Sequence, residues 1–340
     1  MKNIIFLVDA QKNASGGGKV IYQYSNYIES LKDYSSEIVH LKKKKIIKIV
    51  DSINKRLSRK PKKYSGWDFK DITVKKNHLF KWFNIDIKVK NDLKFQKDKD
   101  FIILPEIFAH FAEDLLIKKK IPYAIFVQNG YTIFPTDNLS NLKKAYAKAK
   151  FILSYSSDIT ECVSLAYPNV KKKIIDVICS INSKKFNPKV KKRNLITFMP
   201  RKLRKHSELL NSFIRHNLPK NWKIKKIENV NENEVIKTLN QSKIFLSFSE
   251  LEGLGIPPIE AALAGNKVIG YTGESGKEFW KKPIFTNIYN GDIKNFCNEI
   301  IKNLTNKNFL KISKLQRQKL AKKFSLENER KSIKDFLKHI

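Results

Sequence analysis

Two kinds of run alternate along this chain. Short, nearly unbroken apolar stretches occupy residues 4–8, 101–104, 123–127 and 151–154. Stretches that short and that uniformly apolar are strands buried on both faces, the mark of a parallel sheet. Between them, apolar positions recur with helical spacing over about 20–31, 107–118 and 157–165. The strand runs stop at turn signals, Pro105-Glu106 and Gln128-Asn129-Gly130-Tyr131. A second alternating set of strands follows at 195–199, 222–227, 244–248, 267–271 and 284–285. Phe324-Ser325-Leu326-Glu327 then opens a last helix, to about Leu337. Strands alternating with helices predict doubly wound parallel sheets, whose binding crevices lie at the carboxyl ends of the strands.

With 340 residues and 39.6 kDa the chain has room for two such domains, each with a core of its own. The basic, proline-containing stretch 187–193 is the expected boundary. No run approaches the length of a membrane-spanning helix. The opening run ends in Asp9 with no small-residue cleavage site, so it reads as a first buried strand rather than a leader. Cys162, Cys179 and Cys297 are widely spaced, odd in number and without histidine at ligand spacing. That argues against a disulfide framework and against a zinc site, and for a reducing cytoplasm.

The formal net charge of +36 signals affinity for anionic surfaces without naming one. Eight of the 68 basic residues are Arg, and a chain that reads bases or phosphates specifically leans on the Arg fork, so no specific nucleic acid is expected as partner. One basic segment carries a pattern. Over 41–63, Ile46, Val50, Ile53 and Leu57 form a helical stripe flanked by Lys42 to Lys45, Lys48, Lys55, Arg56, Arg59 and Lys60. This is either a core-facing helix with a solvated basic side or a helix lying on the anionic inner face of the membrane.

The densest chemistry lies in residues 247–265. A strand runs into Glu252, Gly253, Leu254, Gly255 and Ile256, then Pro257-Pro258 and a short helix closed by Gly265. Proline suits a helix start, and glycine suits the position just past its end. A strand that passes through a glycine loop into a helix gathers free backbone N–H groups at the positive end of the helix dipole, where phosphate binds. Glu252, in the loop, and Glu260, in the first helical turn, have seven residues between them. Carboxylates repel phosphate but accept hydrogen bonds from sugar hydroxyls. The local reading is a nucleotide-sugar site.

This stretch resembles the paired-glutamate signature of the large family of retaining glycosyltransferases (group 1) with the GT-B fold. The strand 267–271 and the turn Gly273-Glu274-Ser275-Gly276 follow as they do in that family. The likeness is specific over about 151–335 and only architectural before. It implies an α/β protein of two Rossmann-like doubly wound domains facing a cleft: an acceptor-side domain over 1–187, a donor domain over 188–320, and a C-terminal helix over 321–340 that returns to the first domain.

It further implies a hexosyltransferase-like enzyme that moves a sugar from a nucleotide-diphosphate donor to a hydroxyl, with retention, without a metal and without a cofactor beyond that co-substrate. The acceptor is a glycan or a lipid-linked one. Glu252 would contact the transferred sugar, Glu260 the ribose hydroxyls, and the N–H groups of 253–256 the phosphates. The family places a basic pair at the end of the donor domain's first strand, Arg followed five residues later by Lys. Here Arg201 is followed at that spacing by His206, with Lys205 one residue early. Arg201 and Lys205 are taken as the pair, with Lys202 as substitute. In the first domain the loop to Gly16, Gly17 and Gly18 matches neither a Rossmann fingerprint nor a Walker pattern, yet a glycine-rich first loop is what the family sets near donor phosphates and acceptor. His110, Gln128 and Asn129 stand at strand ends as acceptor-side candidates, with a purely structural role open for His110. Two other readings are a same-fold transferase acting on nucleic acid and a non-catalytic anion- or membrane-binding protein.

Overall fold

The computed structural model describes residues 1–11, 15–44, 69–81, 84–305 and 314–340. The chain divides into two compact units, Met1–Val177 with Arg330–Ile340, and Ile178–Glu329. Residues 178–187 and 321–329 therefore pack with the second unit, earlier and later respectively than the boundaries drawn from the sequence.

The first unit is built on β1 (Lys2–Asp9), β2 (Tyr34–Lys43), β3 (Ile72–Val74), β4 (Lys88–Val89), β5 (Asp100–Pro105), β6 (Tyr123–Val127), β7 (Phe151–Ser154) and β8 (Ile174–Asp176). Their order is β3-β2-β1-β5-β6-β7-β8, with β4 on β2. All pairings are parallel except β2 with β3. The central runs lie between helical layers: Ile4 to Leu7 are fully buried, as are Phe101, Ile102 and Leu104. The last helix, Leu326–Leu337, closes this unit from Arg330 on. Tyr34 Oη donates to the Leu337 carbonyl at 3.1 Å, and the Arg330 guanidinium lies 5.1 Å from the Tyr27 ring.

In the second unit β9 (Leu195–Phe198), β10 (Lys223–Lys226), β11 (Ile244–Glu252), β12 (Lys267–Glu274) and β13 (Phe285–Asn287) form an all-parallel sheet ordered β10-β9-β11-β12-β13. The order reverses between β9 and β11, and in such sheets the crevice at the reversal is the binding place. Aromatic rings of Phe248, Tyr271 and Phe296 pack 5.3–6.1 Å apart beneath it. Both units are Rossmann-like.

Several elements differ from expectation. The helix expected from Val20 begins at Gly16, because the Ser15 hydroxyl accepts the Gly18 N–H at 3.1 Å and caps it there. Residues 106–117 wind as a 3-10 turn, Glu106–Phe111, followed by a π-helical turn, Glu113–Ile117, rather than as one α-helix. Leu41 to Lys43 of the expected basic helix belong to β2 instead, with Lys43 buried, because the strand continues in register with β3. Ile46, Val50, Ile53, Leu57 and the rest of that stripe lie outside the described residues.

Candidate functional site

At the reversal point in the second unit, β11 continues past its apolar run to Glu252, so this residue ends a strand rather than sitting in a loop. The register against β12 slips between Ser249 and Glu252, and Leu251 adopts φ +46°. A left-handed backbone is costly for a leucine, of order 1–2 kcal/mol, and here it turns the strand end. Across the rim Glu274, paired with Glu252 in register, has φ +68°. Two non-glycine residues at positive φ thus stand on one rim.

Gly255, at φ +74°, then turns the chain into the helix Ile256–Leu263 as its N-cap. Pro257 and Pro258 occupy the first turn and bring no N–H. The donors on offer are thus those of the loop, and the N–H groups of Gly253, Leu254 and Gly255 meet no acceptor among the described residues. Glu260 falls in the second turn of this helix, half-buried, one turn later than expected, because Ile256 and the two prolines fill the first. Gly273 supplies the other wall. A Cβ there would meet Ser249 Cβ at 2.8 Å and Glu252 Cγ at 3.1 Å, so the Glu252 side chain lies directly on bare backbone.

The basic residues after β9 divide. Lys202 Nζ reaches across the reversal point to Glu252 Oε1 at 3.0 Å and to the Glu250 carbonyl at 2.9 Å. Arg201 and Lys205 are exposed at the same strand end. His206 is turned inward, its Nδ1 3.1 Å from the Tyr271 hydroxyl of β12. The structure thus brings Lys202 to Glu252 and puts His206, not Lys205, over the sheet. Sequence spacing had flagged His206 as the residue standing where lysine was expected. Neither the Gly273 contact nor the Lys202 bridge has a sequence signal, since both depend on how far β11 runs. A separate groove of about 480 Å³ lies along the helix Arg204–Ile214, with Arg204, Glu208, Asn211, Arg215 and Lys226 in its walls. It includes neither Glu252 nor Glu260, and its Arg204 and Lys226 are both paired with Glu228.

In the first unit, Gly17 and Gly18 form the first turn of a helix rather than a loop. Gln128 Nε2 donates to the Gly17 carbonyl at 3.0 Å, and Asn129 caps the next turn by accepting from Tyr131 N at 2.9 Å. Beside them Glu106 is buried, accepting from Gln128 N at 3.0 Å and Thr132 Oγ1 at 2.8 Å, and burial raises its pKa above the ordinary carboxylate range. Sequence reasoning missed Glu106 as a site-wall residue; its place directly after an apolar strand and a proline was the available signal. The His110 ring lies 4.0 Å from that of Phe111 at a tilt of 47°, its carbonyl accepts from Asn141, and both ring nitrogens are buried. It serves packing. Asp158, bonded through one oxygen to the Tyr131 hydroxyl at 2.9 Å, joins Gln128 and Asn129 among the polar groups after the ends of β6 and β7.

Comparison with known proteins follows from this geometry. No family model matches the chain. Over 209 residues it is 24% identical to an α-1,6-glucosyltransferase of Actinobacillus pleuropneumoniae serotype 7 (strain AP76), a match covering 56% of this chain and 59% of that protein's length. Among solved structures it is similar to Anabaena HepE in complex with UDP and glucose, with TM-score 0.66 at 11% identity and full coverage of both chains. It is also similar to sucrose-phosphate synthase from Thermosynechococcus elongatus, TM-score 0.65 at 11% identity over 99% of this chain and 98% of that one. A variant of S. aureus TarM in complex with Fondaparinux, alpha-GlcNAc-glycerol and UDP aligns with TM-score 0.63 at 12% identity over 100% and 99%. The fold is therefore GT-B: two Rossmann-like units of parallel sheet. Among the described residues no helix is long and apolar enough to cross a membrane.

Proposed function

We propose that this protein is a glycosyltransferase that moves a sugar from a nucleoside-diphosphate donor to a hydroxyl of a glycan or lipid-linked acceptor, with retention and without a metal. One observation carries the reading. At the reversal point of the second sheet, unpaired N–H groups of Gly253, Leu254 and Gly255 adjoin a carboxylate, Glu252, and the basic run Arg201–Lys202. Breaking the sugar–phosphate bond leaves the electron pair and added negative charge on the diphosphate, and fixed donors and cations there stabilise it. Glu252 accepts from hydroxyls of the transferred sugar, and Glu260 from the donor's ribose. The glucosyltransferase relative and the UDP-bound neighbours support the same chemistry.

Lys202, which bridges to Glu252, makes the stronger partner for Arg201 in this reading than Lys205. In the first unit, Gln128 and Asn129 belong to the acceptor side in this reading, with Gly17 and Gly18 near the donor phosphates. Contact with an anionic membrane through residues 41–63 is part of the proposal only for a lipid-linked acceptor. Equal co-sedimentation with anionic and neutral vesicles would remove it.

The test is a panel of nucleoside diphosphates and their sugars, read by thermal shift and by donor turnover. A donor at about a hundred times its Kd adds roughly 2.7 kcal/mol to the state that binds it. Glu260→Ala should weaken nucleotide binding by about 1.5–3 kcal/mol, the worth of a hydrogen bond to a charged group. Glu252→Ala should cut turnover more than affinity. Undiminished activity in EDTA is expected. No stabilisation by any nucleotide, with no donor consumed, would sink the reading.

A further inference from the structure

The Lys202 bridge has no obvious place in a site meant to leave Glu252 available. Lys202 Nζ lies 3.0 Å from Glu252 Oε1 and 2.9 Å from the Glu250 carbonyl, so one ammonium fastens both the carboxylate and the strand carrying it. The side chains keep 29% and 24% of their exposure, so the pair is reachable by ligand. Of the other cations nearby, Arg204 and Lys226 are held by Glu228 and Lys277 by Glu274, while Arg201 and Lys205 are exposed. The unpaired N–H groups of Gly253 to Gly255 lie immediately beyond Glu252 along the chain.

We propose that Lys202 is a positioning residue that locks Glu252 while the site is empty and is drawn onto the donor's diphosphate when it binds, releasing the carboxylate to the sugar hydroxyls. This rests on the glycosyltransferase reading above. A partly exposed ion pair is worth little, so a multiply charged diphosphate arriving at the neighbouring N–H groups competes for the ammonium successfully. The carboxylate then loses the donor occupying Oε1 and gains free lone pairs where the hydroxyls arrive. The exchange ties exposure of Glu252 to the presence of donor.

The lock predicts a thermodynamic signature, because any ligand that takes Lys202 must first break its bond to Glu252. UDP, which carries the diphosphate and no sugar, isolates this step. Calorimetric UDP affinities are to be measured for wild type, Glu252→Gln, Lys202→Met and the double variant, with Lys202→Arg as the charge-conserving control and thermal unfolding as the folding check. Glu252→Gln should bind UDP roughly two- to fivefold more tightly than wild type, the scale of one exposed ion pair removed. In the Lys202→Met background the same change should have no effect, and Lys202→Met alone should weaken UDP, with Lys202→Arg restoring most of it. An equal gain from Glu252→Gln in both backgrounds would mean simple charge repulsion and would overturn the exchange. Unchanged or weaker UDP binding by Glu252→Gln with Lys202 present would overturn it too. Failure of wild type to bind UDP, ADP or GDP would instead remove the nucleotide-sugar reading, and the exchange with it.

Discussion

Acidification should weaken the first unit through one residue, His40. It stands on β2 without solvent exposure, its Nε2 2.6 Å from the Tyr22 hydroxyl. That hydroxyl oxygen also accepts the Phe80 N–H at 3.1 Å, and a neutral His40 ring with Nε2 unprotonated accepts the phenol proton. Burial above all, then the neighbouring His78 and Lys75, lowers its pKa to about 3. In the unfolded chain an imidazole takes up a proton near pH 6.5. Between those values the unfolded state binds more protons, so stability falls as the pH falls. The linkage amounts to about 2 kcal/mol lost between pH 7 and pH 5 from His40 alone. His40→Phe keeps a ring in the core, between Tyr22 and Phe80, and removes the titration. Both proteins should be equilibrated in urea at each pH, then pulse-labelled and followed by mass spectrometry on peptides covering β1 and β2. The wild-type unfolding free energy should drop between pH 7 and pH 5 by about 2 kcal/mol more than the variant's. His78, whose ring lies 5.0 Å from His40, is also lowered chiefly by burial and titrates in both proteins. Parallel pH dependence in the two would refute the reasoning.

Three further outcomes follow from named contacts. Glu106→Ala leaves the Gln128 N–H and Thr132 hydroxyl without their buried acceptor and should cost about 1–3 kcal/mol for each, whereas Glu106→Gln, which keeps one oxygen, should cost less; equal urea midpoints would count against this. Gly273→Ala puts a Cβ 2.8 Å from Ser249 and 3.1 Å from Glu252 at φ +66°, so turnover should fall severalfold even where thermal unfolding shows the variant folded. Arg201→Ala should lower turnover by roughly 10²–10³ with folding intact, the scale of one group stabilising developing charge, and wild-type turnover would dismiss that role.

Much of the architecture was legible because parallel strands buried on both faces leave an unmistakable local trace. Residues 123–127 and 151–154 were read with the bounds the structure has, since strands buried on both faces leave short, mostly apolar runs. The loop from Glu252 to the helix Ile256–Leu263 was legible too, because its glycines and prolines encode backbone geometry directly. What escaped were features set by partners distant in sequence. β2 is partly polar and was missed; it is a strand because β1 lies beside it in register from Lys2 to Asp9. The helix at Gly16 started early because one serine hydroxyl found the Gly18 N–H, a choice that propensity, which disfavours glycine, argues against. Glu106 became a buried carboxylate by virtue of neighbours on another element. Composition, run length and turn chemistry are local and so are written in the chain. Which lysine meets Glu252, and which histidine turns inward onto Tyr271, was decided only when β9, β11 and β12 were laid side by side, because side chains far apart in sequence acquire partners only through the packing of the sheet.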